Sequence, residues 1–170
     1  MSSSTNPTLI HNAHEFSYAT SMGIYPAARD ESTTTTDLLQ PSHNLVPVSD
    51  SGCFSWASLD KVHSVRIFED QDTQFCAGIL LTYEDGSQRA LGQCRVGWDS
   101  YVECIRPYDL CFLAITLDRR TCVEVEATAT DEAHDHEESG WECCTMDGIL
   151  QCGFSKKHIK LAKLDSSPSE

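Results

Sequence analysis

The sequence predicts an all-β fold: a single antiparallel β-sandwich or β-prism-like domain of about eight short strands, behind a disordered N-terminal arm. Three observations predict it. Short apolar runs recur along the second two thirds of the chain, separated by turn signals roughly every ten residues. Two Asp-Gly pairs, Asp85-Gly86 and Asp147-Gly148, interrupt such runs. No long segment has the 3.6-residue apolar period of a helix.

Residues 1–51 offer little to build a core. They carry the runs Ser2-Ser3-Ser4 and Thr33-Thr34-Thr35-Thr36 and four prolines, at positions 7, 26, 41 and 47. Low hydrophobicity of this kind does not offset the entropy of ordering, so a disordered Ser/Thr-rich arm is expected. Two short groups, Phe16 with Tyr18 and Leu38 with Leu39, are able to dock on the domain or on a partner. The β domain is expected over residues 52–164, with residues 165–170 as a tail. It opens on Cys53, Phe54, Trp56 and Leu59.

His63–Phe68 is rich in β-formers and ends in the polar turn Glu69-Asp70-Gln71-Asp72. Phe75–Tyr83 is an apolar strand that meets Asp85-Gly86, the strongest short hairpin signal. A two-residue loop there pairs Tyr83 with Gln88, Leu81 with Ala90 and Leu80 with Leu91. Ile79–Leu81 is apolar on both faces, so this strand is expected at the centre of a three-strand meander. Gly78 and Gly92, inside strands, predict bulges or close backbone approach. Val102–Ile105 reads as a short strand broken by Arg106-Pro107. Leu110–Leu117 reads as another central strand, and Asp118-Arg119-Arg120 as a turn. Thr121–Ala127 alternates glutamates with valines, as a half-exposed strand does. Thr128–Gly140 is an acidic loop. Asp147-Gly148 then predicts a second hairpin, Trp141–Met146 with Ile149–Phe154. His158–Leu164 closes the domain at a sheet edge, its lysines guarding that edge.

Charge narrows the function. Lys and Arg number 12 against 26 Asp and Glu, a net charge of -14. Phosphates repel such a surface, which excludes nucleic acid and anionic membranes as partners. No run of 18 apolar residues is present to span a bilayer, and the N-terminus has no secretory pattern. A cytoplasmic or nuclear protein is expected. The nine cysteines are odd in number and irregular in spacing, which predicts reduced, mostly buried thiols.

Two groups of residues carry chemistry. Trp98, Asp99 and Tyr101, with Arg106 and Tyr108 nearby, join aromatic rings to a carboxylate, the usual start of a sugar or peptide site. His134, His136, Cys143 and Cys144 offer two imidazoles and two thiols to Zn²⁺. Adjacent cysteines on a strand point to opposite faces, which weighs against that set. No Gly-x-Ser-x-Gly elbow or glycine-rich phosphate loop is present, so no enzyme is expected and no cofactor, zinc being the alternative.

The strings GILLTYEDGSQRALGQCRVG (Gly78–Gly97) and GWECCTMDGILQCGFS (Gly140–Ser155) resemble a C-terminal β-rich module recurring in uncharacterised fungal (ascomycete-type) hypothetical proteins. The resemblance spans roughly residues 53–164 and implies no catalytic residues. Cys152-Gly153 stands where that pattern has two aromatics, so an aromatic platform there would be missing. The hairpins are also similar, more distantly, to the Greek-key units of jacalin-like β-prism lectins. Together these readings imply a non-catalytic module that binds a protein or, as second choice, a glycan. The alternative is a metal- or redox-responsive protein.

Overall fold

The structure is a computed structural model. It describes the backbone of residues 8–12 and 21–25, and residues 53–130, 136, 140–155 and 158–164 in full. The remaining arm, the acidic loop apart from His136, and the tail lie outside the described residues. The chain divides into two compact units, Met1–Gln40 and Pro41–Glu170.

In the first unit, β1 (Thr8–Asn12) and β2 (Ser21–Tyr25) form an antiparallel pair with Leu9 opposite Ile24. These strands stand where the composition of the arm predicts none. Two strands alone are marginal in water.

The second unit is all β among the described residues. Its strands are β3 (Cys53–Ser58), β4 (Val62–Glu69), β5 (Cys76–Tyr83), β6 (Gln88–Gly92), β7 (Tyr101–Ile105), β8 (Asp109–Leu117), β9 (Arg120–Thr128), β10 (Glu142–Thr145), β11 (Ile149–Phe154) and β12 (Ile159–Leu164). They make three antiparallel sheets, ordered β6-β5-β4-β7, β10-β8-β9 and β12-β11-β3. All three sheets contribute to one core. Val65, Ile67, Ile79, Leu81 and Leu91 come from the first sheet, Leu110, Phe112, Val123 and Cys144 from the second, and Ala57, Leu150 and Cys152 from the third. The strands read as apolar on both faces, β5 and β8, are interior to their sheets. The polar-alternating strands β9 and β12 are edges.

The Asp85-Gly86 hairpin forms, but one residue out of the expected register. Leu80 pairs with Ala90, Ile79 with Leu91 and Thr82 with Gln88. The loop has three residues, because Tyr83 N donates to Ser87 O at 2.9 Å and Gly86 alone takes positive φ (82°). A type I turn closed by a left-handed glycine replaces the two-residue turn. The slip places fully buried Leu91 opposite Ile79 on the core face and leaves Ala90 outside. Burial of a leucine decides the register. Gly78 and Gly92 face each other across this ladder, and a Cβ on Gly78 would sit 2.5 Å from Gln93 O. Only glycine permits that approach.

The second expected hairpin does not form. β10 pairs with β8, whereas β11 pairs with β12 and β3. Asp147-Gly148 is a corner between two sheets. Gly148, at φ 75°, accepts from Leu59 N at 2.9 Å, and the Asp147 carboxylate is held by Lys163 Nζ at 2.6 Å. Tertiary pairing overrides the local signal. The tight two-residue loop lies instead at Asp118-Arg119, both at positive φ (45° and 64°), joining β8 to β9.

Candidate functional site

The aromatic group of the sequence lies along one edge. After β6 the chain turns at Val96-Gly97-Trp98, with Gly97 at φ 84°. Arg95 O accepts from both Trp98 N (3.0 Å) and Asp99 N (3.1 Å). Arg95 Nε and Nη2 each donate to the Asp99 carboxylate at 2.7 Å. Gln71 Nε2 donates to Trp98 O at 3.0 Å, and Glu69 N to Ser100 O at 3.1 Å. The turn is thus clamped, yet Trp98 is 83% exposed. Asp99, expected to face a ligand, is turned inward. It is buried, and both of its oxygens accept from Arg95.

β7 follows. Tyr101 packs its ring on Phe68 at 5.4 Å, with the Arg66 guanidinium 5.1 Å over it. Arg66 in turn pairs with Glu103 at 2.8 Å. This charge-assisted hydrogen bond raises the Arg66 pKa above its ordinary value. Arg106 and Tyr108 lie beyond the far end of the strand. Arg106 sits at φ 52° and donates its N–H to His63 O, while Tyr108 N donates to Thr128 O. At about 3.3 Å per residue the strand keeps Tyr101 and Tyr108 well over 10 Å apart. The five residues therefore do not converge on one pocket. They line a ribbon.

That ribbon is apolar and open. β7 is the last strand of its sheet, and Val96, Trp98, Tyr101, Val102, Ile105 and Tyr108 are each between 45% and 83% exposed. The hydrogen bonds to His63 O and Ser100 O fix the phase of the β4–β7 ladder. By antiparallel alternation the N–H and C=O groups of Tyr101, Glu103 and Ile105 point away from β4. Val102 and Ile105 were not legible as surface residues, because their types suit a core.

Beneath β7, on the Val102 and Cys104 side, runs a cleft of about 390 Å³. Ile67, Val102 and Cys104 of the first sheet line it together with Val125 and Ala127 of β9 and with Trp141. Glu69, Gln74, Cys76, Glu124 and Glu126 complete the described lining, and among the described residues it has no lysine or arginine. A second cleft, about 430 Å³, has a mixed lining that includes Asp70, Asp72, Arg95, Arg120 and His158.

The metal-type group separates. His134 lies outside the described residues. His136 stacks on Trp141 (centroids 4.4 Å) and sits 3.3 Å from Glu126 Oε2. Cys144 is buried and donates to Leu110 O at 3.1 Å. Burial pushes its thiol pKa up to about 11. Cys143 is exposed on the opposite face, across the ladder from Cys111. Among the described residues no three His, Cys, Asp or Glu side chains come together as metal ligands. All nine cysteines are thiols, and burial raises Cys76 and Cys94 to about 12. Such thiols stay protonated and make poor ligands and nucleophiles. No helix among the described residues is long and apolar enough to cross a membrane.

Comparison of the chain with protein-family models, with curated proteins and with solved structures finds no match.

Proposed function

We propose that this is a non-catalytic interaction module whose partner is a protein, held along the β7 edge and anchored at Trp98. One observation carries the reading. Trp98 is 83% exposed while its own turn is fixed by hydrogen bonds on both sides. An exposed indole on a pre-set backbone loses little entropy on contact, and tryptophan is among the residues most enriched at binding hot spots. The neighbouring edge adds apolar contacts and outward backbone groups, the elements of strand addition.

The test uses the tagged full chain as bait in four forms: wild type, Trp98→Ala, Ile105→Lys and, as control, Ala90→Lys on the remote strand β6. The expected result is a specific protein retained by wild type and control and lost about tenfold or more with the other two, at unchanged melting temperature. Equal retention by all four refutes the reading. A glycan array read in parallel tests the second choice. A Trp98-dependent glycan signal with no protein partner moves the function to sugar binding.

A further inference from the structure

We infer that the segment bound at β7 is basic: an extended strand whose lysine or arginine side chains enter the cleft between β7 and β9. This rests on the β7 edge being the binding surface. Side chains of an added strand alternate between the two faces of the sheet. One set lies on the side of Tyr101 and Glu103. The other lies on the side of Val102 and Cys104, where the cleft opens.

The chemistry of the cleft selects what enters. Its walls are apolar, from Val102, Val125 and Ala127, and suit the methylene stem of a long side chain. Trp141 is in the lining with one face of its ring stacked by His136, and tryptophan is the best cation–π partner. Glu69, Glu124 and Glu126 supply negative charge, and among the described residues of the lining there is no lysine or arginine to neutralise it. His136 Nε2 sits 3.3 Å from Glu126 Oε2. A cation with an apolar stem satisfies all of these features together.

Two other occupants carry the wrong sign. Residues 1–52 hold no lysine and one arginine, Arg29, against Glu15, Asp30, Glu31, Asp37 and Asp50. A second copy brings another net charge of -14. Like charges at close range oppose both.

Fluorescence anisotropy of the full chain at near-physiological salt tests this with three labelled peptides. One alternates threonine with lysine, one threonine with glutamate, and the third is the lysine peptide with prolines that break its strand. The expected result is binding of the first alone. The double variant Glu124→Gln with Glu126→Gln weakens it about tenfold or more, Val102→Lys abolishes it, and melting is unchanged in both. Binding that is lost in Val102→Lys but indifferent to the glutamates or to peptide charge overturns the inference and leaves the β7 edge standing. Lysine-peptide binding that survives Val102→Lys, or that the proline peptide shares, is diffuse attraction and overturns both. Binding of none of the three overturns the inference, while the bait experiment still decides the edge.

Discussion

Replacing Leu91 by alanine tests the register on which the first sheet depends. Leu91 is fully buried and faces Ile79 across the β5–β6 ladder. Truncating a buried leucine removes its transfer free energy and leaves a cavity, about 3 kcal/mol in a packed core. A domain of this size has roughly 5–15 kcal/mol in all. The melting temperature is therefore expected to fall on the order of 10 °C. The paired control is Ala90→Lys. Ala90 is exposed on the opposite face, so a lysine there is expected to change stability by less than about 0.5 kcal/mol. Urea unfolding followed by tryptophan fluorescence measures both variants. A two-residue loop at Asp85-Gly86 would turn Ala90 toward Leu81. A mild Leu91→Ala with a damaging Ala90→Lys would refute the three-residue loop.

Three other outcomes follow from the same geometry. Arg119, at φ 64° in the β8–β9 turn, is expected to gain about 0.5–1 kcal/mol as Arg119→Gly, since only glycine takes that conformation without strain; a loss in urea midpoint would count against it. Thr128 Oγ1 is buried with no hydrogen-bond partner among the described residues, so Thr128→Val is expected to stabilise by about 1 kcal/mol, and destabilisation would reveal an unseen acceptor. Burial raises the folded-state pKa of Cys76 and Cys94 to about 12 and of Cys144 to about 11, above the roughly 8.5 of an unfolded thiol. Their contribution is complete below that unfolded value and is lost as pH climbs towards the folded ones, so the urea midpoint should hold steady from pH 7 to 8 and fall between about pH 9 and 11; a midpoint that stays flat or rises there would contradict it.

The sequence made local features plain and left long-range pairing dark. The three-strand meander, the central positions of β5 and β8, and the edge position of β12 were all readable, because apolar or alternating patterns report burial directly. The hairpin register was off by one because Asp-Gly serves two turn types, and only burial of Leu91 chooses between them. The Asp147-Gly148 corner was misread because nothing local tells that β10 answers to β8 and β11 to β3. The site suffered from the same blindness. Trp98 and Tyr101 stood out as aromatics in a turn, but Val102 and Ile105 look like core residues until the sheet order leaves their strand outermost. Asp99 looked like a ligand group, and its partner four residues earlier, Arg95, takes it inside. The cleft joins residues of β4, β7 and β9 that lie far apart in the chain, and no spacing rule could bring them together.

The pairing of β3 with β11 has a consequence for synthesis. Phe54 lies opposite Gly153, and Ser58 opposite Ile149, so the first strand of the domain completes its sheet with nearly the last. A nascent chain leaving the ribosome therefore carries β3 without its neighbour until β11 has emerged, and closing so wide a loop is slow. During that interval Phe54 and Trp56 lack the strand opposite them. Any truncation before Phe154 would release a product that cannot close its third sheet.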